Sequence, residues 1–256
     1  MTEVLGLVPV LLDDLDAPYG CTALRTLGSA SLLALAVQAL LESGVAGDVL
    51  VVTPAAALHA VEEALALLPP AQAGVHLIAS PEPLSRLLLP SLHHGLLAGP
   101  RAGLKPTGAS AEVVVVHDPR CGQAPAELVR LVVGALQDDP GSDAAVPVRD
   151  LTDTVKWVSA RGQVLGTPDR AAFRVVSTPQ AYRRATLSRV LAAVPEAALN
   201  PERSGGSATS TGSADLLPGL VRAAGGRVRA VASDREIAWL ADETGLLLAQ
   251  PGQPGH

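Results

Sequence analysis

His117-Asp118 closes the valine run Val113–Val116 and sets an imidazole and a carboxylate side by side. An acidic residue at the carboxyl end of a parallel strand can hold a divalent cation or a ribose hydroxyl. It can equally cap the turn begun by Pro119, and the residues alone leave both roles open. Asp13, Asp14 and Asp16 form a second acidic group, but no EF-hand-like glycine and glutamate follow them. They read as a solvated acidic loop. Downstream, Thr152, Asp153, Thr154, Lys156 and Arg170 gather polar groups on a short segment, where they can pair across strands. Thr178-Pro179 has the form of a helix start, a Thr N-cap followed by Pro in the first turn. His93 and His94 are adjacent and so do not face one site on a helix, while His59 and His76 are isolated. Cys21 and Cys121 have neither metal-ligand spacing nor the numbers for a disulfide framework, and read as small buried hydrophobes.

The elements that position these residues alternate. Val4–Val10, Val49–Thr53, Val75–Ala79, Val113–His117 and Ala144–Val148 are apolar runs of strand length. Between them Ser31–Ser43, Ala55–Leu68, Pro83–Ala98 and Pro125–Asp138 carry helical patterns. Apolar strands separated by amphipathic helices predict an α/β fold, a mostly parallel sheet covered on both faces, with ligands beyond the carboxyl ends of its strands. After Val148 the pattern changes. Thr154–Val158 and Val164–Gly166 flank a polar turn containing Gly162, which predicts a projecting β-hairpin arm over about 149–176, with a strand at Phe173–Ser177. Tyr182–Ala193 reads as helix, and Asn200–Ser213 as a flexible loop. Leu216–Ala224, Arg227–Ala232 and Glu236–Gln250 supply a helix, a strand and a closing helix, and 251–256 a tail. The expectation is one domain over 1–250.

Composition excludes several classes. A formal net charge of -6 over 256 residues disfavours broad nucleic-acid binding, and aromatic residues at 2% leave no evident base-stacking platform. The longest apolar run, Ala30 to Leu41, is too short to span a bilayer and is broken by Gln38. With no basic leader before the first strand, a cytoplasmic protein without a membrane partner is expected.

Several motifs in order resemble those of the methylerythritol-phosphate cytidylyltransferase family. Where that family has a strand ending V-H-D-A-A-R-P, this chain has Val116-His117-Asp118-Pro119-Arg120. For its T-D-T-I-K, D-R and T-P-Q series there are Thr152-Asp153-Thr154-Val155-Lys156, Asp169-Arg170 and Thr178-Pro179-Gln180. Ser91 through Gly95-Leu96 is similar to its S-V-x-x-G-L. The resemblance implies a Rossmann-like nucleotidyltransferase fold and a homodimer in which the arm reaches the neighbour's site. It also implies a magnesium-dependent reaction of CTP with the phosphosugar methylerythritol phosphate, the arm residues Thr152, Asp153, Thr154, Lys156, Arg170 and Thr178 serving the substrate phosphate. Asp118, Arg120, Ser91 and Thr22 fall at site positions, with Asp118 the candidate metal ligand. The sequence departs from the family at the residues that meet the triphosphate. Pro9-Val10-Leu11-Leu12-Asp13-Asp14-Leu15-Asp16 replaces a glycine-rich, arginine-bearing loop. Thr22 stands in place of a lysine, Leu88 of an arginine and Ala238 of a late lysine, and Ser213-Ala214-Asp215 is the nearest remnant of a T-D-D/E stretch. These departures lead to the expectation of a homologue without normal activity, acting as a binding or regulatory protein. The alternatives are the family reaction itself, with cations from Arg25, Arg86 or Arg120, and an enzyme of altered chemistry using Asp118 and the acidic loop.

Overall fold

The computed structural model describes residues 2–14, 16–68, 74–81, 88–98, 111–193, 216–233, 237–240 and 243–249. The apolar runs become strands β1 (Val4–Pro9), β4 (Asp48–Pro54), β5 (Gly74–Ser80), β6 (Val113–Val116) and β7 (Ala144–Asp150). Two short strands, β2 (Thr26–Leu27) and β3 (Ala30–Ser31), pair antiparallel ahead of helix α1 (Leu32–Glu42). Ser31 caps that helix, its hydroxyl accepting from the Ala34 amide at 3.0 Å. The remaining helices are α2 (Leu58–Ala66), α3 (Leu88–Ala98), α4 (Ala126–Asp138), α5 (Arg184–Ala192), α6 (Leu216–Ala223) and α7 (Glu243–Ala249).

Among the described residues the main sheet has eight strands. β1 lies at its centre, parallel to β4 and β6, and β5 follows β4 in parallel. Beyond β6 comes β11 (Gln180–Arg183), antiparallel to both β6 and β7. β10 (Arg174–Val176) pairs antiparallel with the far part of β7, and β12 (Val228–Ala232) runs parallel along β7's other edge. Alternation along the central strands divides the core in two. Val4, Val8, Val49, Val51, Val113 and Val115 face α1, α2 and α4 through Leu40, Val61 and Val132. Leu5, Leu7, Leu50, Val52, Val114 and Val116 face α3, α5 and α6 through Leu92, Leu187 and Val221. Both layers are almost wholly aliphatic. Gly95 lets α3 settle against the sheet, since a Cβ there would lie 2.4 Å from Val52 Cγ2.

The predicted hairpin is present as β8 (Trp157–Val158) and β9 (Val164–Gly166), antiparallel and apart from the main sheet. Its turn closes through Gly162, which at φ +77 donates to the Ser159 carbonyl at 2.9 Å. Two expectations need correction. Thr178-Pro179, joined by a cis peptide, does not start a helix: Gln180, Ala181 and Tyr182 enter the sheet as β11, and the helix begins only at Arg184. The reason is tertiary, because those three side chains are buried between β6 and β7, and pairing there outweighs a local helix-start pattern. Among the described residues of the helix expected over Glu236–Gln250, only α7 is helical and 237–240 are not. The start of the helix expected at Pro83, the loop at 200–213 and the tail at 251–256 lie outside the described residues. Among the described residues no helix is long and apolar enough to cross a membrane.

Candidate functional site

The carboxyl ends of β1 and β6 lie side by side, and the loops leaving them meet. Asp118, two residues beyond β6, caps the one-turn helix Pro119–Cys121, its Oδ1 accepting from the Arg120 amide at 2.9 Å. The same carboxylate grips the Arg120 side chain with both oxygens, Nε to Oδ1 at 3.0 Å and Nη2 to Oδ2 at 2.7 Å. Of the two roles left open by the sequence, the structure shows the capping one. Arg120 Nη1 turns toward Asp13 Oδ2, 3.6 Å away in the loop after β1. The flat face of the guanidinium lies over the Trp239 ring, 4.4 Å from its centroid. The Leu240 amide donates to the Arg120 carbonyl at 2.9 Å, so segment 237–240 is docked onto the β6–α4 turn.

The acidic loop is closed on itself rather than splayed into solvent. Asp13 and Asp14 amides both donate to the Gly20 carbonyl, at 3.0 and 3.2 Å. Asp13 Oδ1 accepts from the Thr22 amide at 2.8 Å, and Asp14 Oδ2 takes Arg25 Nε and Nη2 at 3.2 and 2.8 Å. Burial raises the Asp13 carboxyl above the usual range, while the Thr22 amide and Arg120 pull it back. Asp14, half-buried and bonded to Arg25, is lowered. Burial opposes the charge on Arg120, but the Asp118 carboxylate beside it outweighs that and keeps the guanidinium protonated.

Beneath this surface lies a second group. Thr178 Oγ1 accepts from the Asp118 amide and pairs with His117 Nδ1, both at 3.0 Å. His117 is wholly buried, which drives its pKa down to about 4 and leaves it neutral. Its Nε2 is buried and meets no hydrogen-bond partner among the described residues. Burial also pushes the thiols of Cys21 and Cys121 up to about 12, so neither is a ready nucleophile.

Of the sequence-predicted residues, Asp118, Arg120, Thr22 and Thr178 converge here. Thr178 belongs to this cluster rather than to the arm. Ser91 is buried on α3. On the arm, Arg170 Nη1 donates to the Thr152 carbonyl at 2.5 Å and Lys156 Nζ to Thr167 at 2.5 Å, while Asp153 and Thr154 are exposed. Asp150, Leu151, Thr152, Arg170, Ala171 and Arg174 line a pocket of about 330 Å³ at the arm's root. Arg174 and Trp239 were not singled out as site residues from the sequence. The available signal for Trp239 was a scarce aromatic beside Ala238, at the end of a family motif. Ala238 itself packs with Leu32, Leu240 and Leu246, and Leu88 is fully buried.

The donor set does not suit a protein-held divalent cation. Both Asp118 oxygens are taken by Arg120, and Asp13 shares that same guanidinium. Among the described residues no three acidic, histidine or cysteine side chains gather as ligands. The cation these carboxylates fit is Arg120.

The family model for 2-C-methyl-D-erythritol 4-phosphate cytidylyltransferase matches residues 98–250. A protein of that name from Nocardia farcinica is 37% identical over 166 residues, 65% of this chain and 64% of that one. The matched segment thus spans just under two thirds of that relative. The Rhodococcus opacus protein of the same name is 32% identical over 231 residues, 88% of this chain and 83% of its own length. Among solved structures, the 2-C-methyl-D-erythritol 4-phosphate cytidylyltransferase from Thermus thermophilus superposes with a TM-score of 0.64 at 26% identity, covering 98% of each chain.

Proposed function

Since the chain belongs to the 2-C-methyl-D-erythritol 4-phosphate cytidylyltransferase family, we propose that it transfers a cytidylyl group from CTP to 2-C-methyl-D-erythritol 4-phosphate. An oxygen of the acceptor phosphate attacks the α-phosphorus of CTP in line, the bond to the β-phosphate oxygen breaks, and pyrophosphate leaves with that electron pair. Catalysis of this kind is positioning together with stabilisation of charge. The observation that carries the reading is the arm-root pocket of about 330 Å³, where Arg170 and Arg174 line a space beside Thr152 that has room for a phosphate group, Arg174 being paired there with Asp150. The nucleotide is assigned to the crevice outside β1 and β6, beside Arg120. Magnesium supplies charge neutralisation in this family's reaction. The carboxylates present do not assemble a site for it.

The same reading includes a homodimer. Trp157, Val158, Val164 and Leu165 leave the hairpin 55–67% exposed, an apolar surface that a second copy would cover. One copy's arm would then carry its phosphate pocket to the other's crevice. Both cysteines are free thiols, which suits a cytoplasmic setting.

A second reading, a binding or regulatory homologue without turnover, is favoured by one observation. Asp13, Asp14 and Asp118 stand where a triphosphate needs cations, and Arg25 and Arg120 are already paired with them. The relatives, which carry an enzyme's name, lend it no support. Pyrophosphate release from CTP, measured with and without the acceptor at high protein concentration in magnesium, decides between the two. Acceptor-dependent release is expected; a folded chain that releases none leaves the second reading.

A further inference from the structure

Arg120 is held unevenly. Asp118 takes its Nε and Nη2 at 3.0 and 2.7 Å, Trp239 covers one face, and Nη1 faces Asp13 across a looser 3.6 Å. The other Asp13 oxygen accepts from the Thr22 amide at 2.8 Å. One carboxylate therefore spans a side-chain cation and a backbone donor brought together from two different loops. Two oxygens of a phosphate group make the same pair of demands. The Asp13 side chain is only 21% exposed, so it fills the space as well as the charge.

We propose that Asp13 is a built-in competitor for the anionic ligand of this crevice, occupying the Arg120 edge and the Thr22 amide that a phosphate group takes once Asp13 is displaced. The proposal rests on the nucleotide-site reading above and adds the residue that sets affinity there. Asp118 and Trp239 keep the guanidinium in place when the exchange occurs, the first gripping Nε and Nη2 and the second covering its face. Removing the Asp13 charge then leaves a preformed donor pair in place of a neutralised one, and a phosphate ligand gains by about tenfold or more.

The test uses the full chain and inorganic pyrophosphate. Asp13→Asn keeps an oxygen for the Thr22 amide and so keeps the loop closed; Asp13→Ala is the second variant if the first does not fold. Affinity is read by calorimetry, and by Trp239 emission in a Trp157→Phe background, where Trp239 is the remaining tryptophan. Binding about tenfold tighter than wild type, with a change in Trp239 emission, is the expected result. Equal or weaker binding overturns the proposal, and so does a gain that leaves Trp239 emission unchanged. Pyrophosphate release from CTP by the wild type keeps the two conclusions apart. Release without any gain in Asp13→Asn removes the competitor and leaves the enzyme. A gain without release removes the enzyme and leaves an anion site obstructed by Asp13.

Discussion

Acidification should expose the cost of burying His117. Its pKa of about 4 in the folded chain compares with an ordinary value of 6.5. Above pH 6.5 the imidazole is neutral in folded and unfolded chains alike, and contributes no pH dependence. Between 6.5 and 4 the unfolded chain takes up a proton that the folded chain refuses, so stability falls as the pH falls. The loss amounts to about 2 kcal/mol between pH 7 and 5 and reaches about 3 kcal/mol by pH 4, where it levels off. Other groups titrate over the same interval, notably the Asp13 carboxyl raised by burial, so the comparison must be with a chain that lacks only this imidazole. His117→Gln serves. Urea unfolding followed by circular dichroism at several pH values gives stability for both chains, and the difference between them isolates the histidine. The wild type should lose about 2 kcal/mol more than His117→Gln from pH 7 to 5. A difference that does not change with pH would mean that His117 accepts a proton inside the fold, and the reasoning from burial would fail.

Two further outcomes follow from packing. Gly95→Ala drives a methyl group into Val52 and should destabilise by about 1–3 kcal/mol in thermal or urea unfolding, despite alanine's better helix propensity. Gly134→Ala on α4, where an added Cβ meets nothing within 4 Å, should instead be neutral or stabilising by up to about 1 kcal/mol, and the opposite order would refute the packing argument. Trp157→Asp combined with Leu165→Asp should leave the melting temperature of the domain nearly unchanged but shift sedimentation from dimer toward monomer, and a wild type that sediments as a monomer would remove the dimer from the proposed function.

The sheet was legible because its strands are apolar on both faces, a pattern that β1, β4 and β6 carry without interruption. The arm was legible through its glycine turn. β11 was not, because Thr178-Pro179-Gln180 satisfies a local rule for helix starts while its burial between β6 and β7 is decided by residues far away in sequence. At the site, Asp118 and Arg120 could be named from a motif. What could not be read was that Asp13 and Trp239 would meet them, since both arrive on loops whose course no periodicity specifies. The acidic loop shows the same limit: its residues read as solvated, whereas Asp13 is drawn inward by an amide and a guanidinium.

The arm leaves and rejoins the sheet at a single cross-strand pair, Asp150 opposite Arg174, which also form an ion pair at 3.1 Å. Everything between them is an excursion whose two ends are already held at sheet spacing. Residues can be inserted, deleted or exchanged along 153–169, beyond the pocket residues Thr152 and Arg170, without shifting the register of β7, β10 or β11. In the proposed dimer, the hairpin tip that meets a second copy is thereby separated from the part that holds the crevice. Descendants of this chain are free to change partners while keeping their pocket, and two such proteins in one cell could remain alike in chemistry yet refuse to assemble with each other.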